Sequence, residues 1–280
     1  MKIAISADTA IDLTKELIEE NNIHTIPFEI LLGDETKYDG EFTGEQIIQF
    51  VLENKVLPKT AAVNQFRLEE HFAELKKDYD AIVHFTLSSG LSCTYTNAVA
   101  AAKNFDEVYV VDSMSLSTGI GLLVLYAAKL IKEGYTAKEI FERCTARVPA
   151  VQASFELERV DYLYKGGRCS ALAYIGANVF GFHPQIIVKD GKMIAGKKYR
   201  GKFPMVVRNY CRDVLEEFNT PDLSVAFVTY TTAEDEVVQI AIDALKERGF
   251  EKIYVTRAGG TITSHCGENC LGILYMNDGQ

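Results

Sequence analysis

The sequence predicts an α/β fold in two parts. An N-terminal three-layer α/β/α domain with a parallel sheet is expected over residues 1–151, and a C-terminal α/β domain with a mixed sheet over 152–280. Two observations carry this. In the first half, short runs rich in strand formers alternate with amphipathic helical patterns, and near-continuous apolar strands separated by helices belong to a parallel sheet covered on both faces. In the second half, a hairpin pattern and two closing strands break that alternation.

The elements follow in order. KIAIS, TIPFEILL, AIVHFTL and VYVVD read as strands ending in turn residues. Between them, 12-DLTKELIEENN-22, 43-TGEQIIQFVLENK-55 and 66-FRLEEHFAELKKD-78 show helical spacing of apolar residues. Two further helices, 115-SLSTGIGLLVLYAAKLIKEG-134 and 136-TAKEIFERCTARVPA-150, lead to the strand VQASFELE. Two helical pieces flank 165-KGGR-168, and 185-QIIVKDGKMIAGKKYR-200 reads as a hairpin turning at Asp190-Gly191. A helix (FPMVVRNYCRDVLEEF), a strand (SVAFVTYT), a helix (AEDEVVQIAIDALKERG) and the strands KIYVTRAG and CLGILYM finish the chain. Ligands on parallel sheets bind beyond the carboxyl ends of the strands. Asp8 and Thr9, Ser88 to Thr94, and Asp112 with Ser113 fall there and are expected to converge on one rim.

Composition narrows the function. A chain of 280 residues, 48% hydrophobic and 24% charged, has ample core. Its net charge of -10 disfavours nucleic acid and anionic membranes as main partners. Met1 leads straight into KIAISAD without a secretory pattern, and no apolar run reaches the roughly 20 residues that span a bilayer. The expected location is the cytoplasm, without an integral membrane segment. The six cysteines form no C-x-x-C pair and are expected to be buried thiols.

Three polar clusters could carry chemistry. The stretch 86-TLSSGLSCTYTNA-98 holds seven hydroxyl-bearing residues in thirteen. Ser92 or Ser89 could cap the helix beginning near Tyr95, or the hydroxyls could join free helix amides in an anion site. Gly90-Leu91-Ser92-Cys93-Thr94 has the first glycine of a nucleophile elbow but not the second, which weakens a serine hydrolase. The second cluster, 261-TITSHCGENCLGILYM-276, places His265 in a turn before the last strand. His265, Cys266 and Cys270 match no standard zinc spacing, so no metal is expected. The third is basic: Lys165 and Arg168, then Lys197, Lys198, Arg200 and Lys202, suited to a solvated hairpin tip or to docking and phosphate recognition. Neither a P-loop nor a dinucleotide fingerprint is present, and no cofactor is expected.

Taken together, the clusters resemble the DegV family, the fatty-acid-binding subunits of bacterial fatty acid kinase. SADTAIDL, PKTAAVNQF, LSSGLSCTYTNA, VVDSMSLSTGIGLLVLYAA, VDYLYKGGRCSALAYIGANVFGFHPQIIVKDGKMI, YRGK and TSHCGENCLGILY carry the resemblance in order along the whole chain. It implies a DegV-like fold holding a long-chain fatty acid, with no catalytic residue of its own. The carboxylate would be bound by Thr60, Ser92 (or Ser89) and His265. An ATP-dependent kinase subunit would convert it to an acyl phosphate for phospholipid synthesis, docking through Arg168 and Arg200. The family pattern T-S-Q-P is Thr60-Ala61-Ala62-Val63 here, S-G-T-Y is Ser92-Cys93-Thr94-Tyr95, and H-x-G-P-G is His265-Cys266-Gly267-Glu268-Asn269. Glu268 thus adds a negative charge near the expected carboxylate site. Two alternatives stand beside this reading: a hydrolase using Ser92 or Cys93 with His265 and Asp112, and a carrier of another amphiphilic small molecule. LSTGIGLLVLYAA and SALAYIGANVFGF mix small and large apolar residues, as a tunnel lining or plain core helices would.

Overall fold

The structure is a computed structural model and describes residues 1–169 and 182–279. In chain order the first part runs β1 (Ile3–Asp8), α1 (Lys15–Glu20), β2 (Ile23–Ile26), β3 (Glu29–Leu32), β4 (Glu35–Tyr38), α2 (Gly44–Asn54) and β5 (Lys59–Ala61). It continues with α3 (Gln65–Leu75), β6 (Ala81–Thr86), α4 (Thr94–Ala102), β7 (Val108–Asp112), α5 (Thr118–Lys132) and α6 (Ala137–Arg147). The second part comprises β8 (Val151–Leu157), α7 (Asp161–Gly166), β9 (Phe182–Lys189), β10 (Lys192–Arg200), α8 (Phe203–Glu217) and β11 (Val225–Tyr230). It ends with α9 (Asp235–Arg248), β12 (Lys252–Arg257), α10 (Gly260–Cys266) and β13 (Cys270–Met276). The second of the helical pieces expected around KGGR, and the segment SALAYIGANVFG, lie outside the described residues.

Two main sheets result. The first is four-stranded and wholly parallel, in the order β2-β1-β6-β7. The second has six strands in the order β10-β9-β8-β13-β11-β12, antiparallel except for β11 beside β12. The β9–β10 hairpin turns at Asp190 and Gly191 with φ of 50° and 73°, the pair of left-handed residues a type I′ turn requires. Helix α5 is sandwiched between the sheets, touching β1 and β6 on one side and β8, β11 and β13 on the other. Its Ile120, Leu123, Val124 and Ala127 are buried in an apolar core that runs through both parts of the chain. The run LSTGIGLLVLYAA is therefore mainly core. A second core forms where α8 and α9 cover the six-stranded sheet.

One expected strand is two. Pro27 interrupts TIPFEILL, because proline has no N–H to donate to a ladder. Ile23–Ile26 pairs with β1, whereas Glu29–Leu32 turns away into a separate three-stranded antiparallel sheet, β4-β3-β5. This sheet sets Thr60 of β5 opposite Ile30 of β3.

The two parts of the chain are joined by carboxylates. Asp39 accepts the Gly260 amide at 2.8 Å and the Thr261 amide at 3.2 Å, and the Thr9 hydroxyl at 3.0 Å. Asp12 accepts the Gly259 amide at 2.8 Å and the Ser117 hydroxyl at 2.5 Å. These are amides at the start of α10, which have no partner within their own helix and attract negative charge. Glycine is required at 260, where a Cβ would lie 2.5 Å from Ile30 Cδ1 and 2.9 Å from Asp39 Oδ1. Burial pushes the Asp12 carboxyl up to about 8 and that of Asp8 up to about 7. Near neutral pH this cluster therefore carries less than its full negative charge.

Replacing Asp39 with alanine strands two buried helix amides. The expected loss is about 2–4 kcal/mol in chemical denaturation; a loss below about 0.5 kcal/mol would contradict the role given to this contact.

Candidate functional site

The hydroxyls of residues 86–98 divide by task. Ser88 Oγ donates to Gly191 O at 2.7 Å, holding the β9–β10 turn against the rim of the parallel sheet. Gly90 permits that approach, since a Cβ there would lie 2.4 Å from Gly191 O. Ser89 gives its amide to Asp112 at 3.1 Å and is exposed. The expected rim does form: Asp8 accepts the Leu87 amide at 2.7 Å, and Asp112 also accepts that of Met114 at 3.1 Å. Ser92 Oγ accepts the Thr94 amide at 3.2 Å and lies 3.0 Å from Thr94 Oγ1. It thus serves the first turn of α4, while Cys93 at the cap position has no side-chain cap bond.

Thr60 and His265 come from elements 205 residues apart and meet directly, with Thr60 Oγ1 2.7 Å from His265 Nε2. His265 is not in a turn, as its sequence context suggests, but in the last turn of α10. Its Nδ1 is buried without a partner among the described residues. The opposing helix, α7, approaches so closely that a Cβ on Gly166 would lie 2.9 Å from that nitrogen.

A cavity of about 170 Å³ opens at this hydrogen bond. Thr60, Ser92, His265, Cys93 and Arg168 are among its lining; Phe28, Leu87, Leu91, Leu116, Met193 and Ile262 supply apolar wall. A smaller space of about 20 Å³ shares Leu116, Ile262 and Cys266 with it and is also lined by Phe155 and Leu274 of the six-stranded sheet. Thr60, Ser92 and His265 are therefore brought together, and Ser89 is not among the residues lining either space. Arg168, expected from the sequence in docking or phosphate recognition, also lines the cavity. Arg200 does not; it is exposed at the end of β10, its guanidinium 4.8 Å from the centre of the Phe182 ring. Glu268 is spoken for by Arg159 at 3.0 Å and does not line the cavity.

Proton placement decides what the site can hold. Burial lowers the His265 pKa to about 4, with the Arg168 charge acting the same way. The ring is thus neutral at pH 7 and carries one N–H. With that hydrogen on Nε2, it donates to Thr60 Oγ1 and leaves the threonine proton free. Ser92 Oγ accepts the Thr94 amide and shares one hydroxyl proton with Thr94 Oγ1, so its own proton is free when Thr94 is the donor of that pair. The hydroxyls of Thr60 and Ser92 and the Arg168 guanidinium, lining one largely apolar cavity, suit an oxyanion on an apolar body. A hydrolytic relay is not assembled: Nε2 is engaged by Thr60, and the Asp112 carboxylate by amides. The described residues contain no group of three or more His, Cys, Asp or Glu able to hold a metal ion. Cys144, Cys211, Cys266 and Cys270 are buried thiols, whereas Cys93 is exposed. No helix among the described residues is long and apolar enough to cross a membrane.

Fold and site together define a two-part α/β protein with a largely apolar cavity bordered by the hydroxyls of Thr60 and Ser92. A family model described as an uncharacterised protein of the DegV family matches residues 2–278, and the chain belongs to that family. Protein DegV of Bacillus subtilis is 30% identical over 281 residues, 98% of this chain and 99% of that one. The crystal structure of DegV, described as a fatty acid binding protein from Bacillus subtilis, superposes with a TM-score of 0.86 at 28% identity, covering 99% of both chains. A DegV family protein from Thermus thermophilus shares the fold, with a TM-score of 0.90 at 24% identity over 99% of this chain and 100% of that one.

The depressed His265 pKa has a signed consequence. The unfolded imidazole takes up a proton below about 6.5 and the folded one only below about 4. Stability is expected to fall as pH drops through this window and to level off beneath it, by at most about 3 kcal/mol from this residue. Urea unfolding of the wild type and His265→Asn at pH 7 and pH 4.5 measures it. The variant is expected to lose less over that interval; equal losses would contradict the assignment.

Proposed function

We propose that this chain binds a long-chain fatty acid. The carboxylate lies against Thr60 and Ser92, with His265 orienting the threonine hydroxyl, and the tail runs inward past Leu116 and Ile262. The observation that carries this reading is the Thr60–His265 hydrogen bond at the mouth of the apolar cavity that Ser92 shares. Membership of a family whose Bacillus subtilis representative is described as a fatty acid binding protein supports it.

Energetics assign the two ends different work. A tail of about fourteen methylenes at roughly 0.8 kcal/mol each contributes on the order of 11 kcal/mol before ordering costs. The polar end needs only to orient the head. A cavity of about 150 Å³ in another protein takes a benzene ring. By that measure the space of about 170 Å³ holds the head end and the first methylenes. The rest of the tail requires the inner space to widen between α10 and the six-stranded sheet.

The bound carboxylate is then presented to an ATP-dependent kinase subunit. A carboxylate oxygen attacks the γ-phosphorus, the bond from that phosphorus to the bridging oxygen breaks, and the nucleoside diphosphate leaves with the electron pair. Hydroxyl donors position the nucleophile while drawing off little of its charge. The chain itself supplies no catalytic residue. Arg200, exposed and away from the cavity, is the better docking candidate; Arg168 faces the ligand as well.

Ser92→Ala is expected to weaken palmitate binding by less than about tenfold and phosphorylation of bound acid by more, because the tail dominates affinity and the hydroxyl orients the head. Calorimetry paired with a coupled kinase assay separates the two; equal losses would contradict the division. Arg200→Glu is expected to leave palmitate binding unchanged and to lower partner-dependent phosphorylation, and unchanged phosphorylation would remove Arg200 from docking.

A further inference from the structure

A second opening is also bordered by Thr60 and His265. It is a groove of about 510 Å³ between the segment before β5 and helix α7. Thr60, His265 and Arg168 border both this groove and the apolar cavity, so the two spaces share one junction. Their chemistry is opposite. Lys55, Lys59, Lys165 and Arg168 line the groove, and among the described residues no acidic side chain does. Among the described residues none of these four cations is in an ion pair with a carboxylate. On a chain of net charge -10 that is a local reversal of sign.

The floor of the groove adds an independent observation. Tyr162 Oη, Ser264 Oγ and His265 Nδ1 are all buried, and none has a hydrogen-bond partner among the described residues. Buried polar atoms are normally satisfied, so the two orphan hydroxyls, Tyr162 Oη and Ser264 Oγ, on residues that border the groove call for an acceptor. His265 Nδ1, with the ring hydrogen on Nε2, is itself an acceptor and adds nothing to this demand. Hydroxyl donors beneath a ring of cations fit a group with several charged oxygens, and a phosphoryl group presents three. A single carboxylate already has its donors in Thr60 and Ser92.

We propose that this groove is a phosphoryl-binding site, placed so that a phosphate joined to, or about to join, the ligand's carboxyl end lies among Lys55, Lys59, Lys165 and Arg168. The inference rests on the fatty-acid reading for the position of the carboxyl end, and on the groove's own residues for its chemistry. The phosphoryl group has two sources: the phosphorylated head of the ligand, or the terminal phosphates of the kinase's nucleotide.

The test uses the full chain and a Lys59→Ala/Lys165→Ala double variant, whose exposed changes leave the core intact, with circular dichroism to confirm folding. Hexadecyl phosphate, palmitate, and pyrophosphate added to palmitate-loaded protein are titrated at low and high salt. The variant is expected to bind hexadecyl phosphate more than tenfold more weakly and palmitate less than twofold more weakly, the phosphate loss shrinking as salt rises. Selective loss of hexadecyl phosphate assigns the site to the ligand's head; selective loss of pyrophosphate assigns it to the donor. Equal loss for palmitate and the phosphates, or no loss for either phosphate, overturns the proposal. Wild-type protein that takes neither palmitate nor hexadecyl phosphate instead removes the fatty-acid reading underneath it.

Discussion

The contact on which the site depends is the hydrogen bond between Thr60 and His265. Its two residues belong to elements that share no sheet: a short strand of the three-stranded sheet and the last turn of α10. Neither side chain could be held at 2.7 Å from the other unless both backbones were fixed. The carboxylates of Asp39 and Asp12 do this at the other end of α10, taking amides that the helix cannot satisfy itself. Burial then keeps the imidazole neutral, and with its hydrogen on Nε2 the pair presents a hydroxyl proton in place of a cation. A charged ring here would bind an anion more strongly and leave its oxygen less nucleophilic.

The junction between apolar and basic spaces follows from the same contact. Thr60 and His265 border two spaces: Leu116 and Ile262 line the first, Lys59 and Lys165 the second. An amphiphile with its polar end at that pair has an oily environment behind and a cationic one ahead. On the proposed reading, affinity would come from the tail, and chemistry at the head would be left to the partner enzyme.

Much of this was legible in the sequence, and the exceptions have identifiable causes. The parallel strands, the hairpin at Asp190-Gly191 and the long helices follow from periodicity and turn chemistry acting over neighbouring residues. The three-stranded sheet escaped because one proline divides an apolar run into strands of two different sheets. Ser88, Ser89 and Ser92 look alike in sequence, and only the approach of Gly191 and the position of Thr94 separate their tasks. The pairing of Thr60 with His265 had no local signal, since 205 residues intervene. Family resemblance named both residues, but not the bond between them. Arg168 was legible as a cation and not as a cavity residue, because its placement depends on how α7 packs beside α10.

The most direct test is native mass spectrometry of the chain purified from a bacterial host. The account predicts an adduct with the mass of a long-chain fatty acid, one per chain, lost on solvent extraction and regained when palmitate is returned. A chain that carries no such adduct and takes up no palmitate, or one that arrives with a ligand of different chemistry, would contradict it.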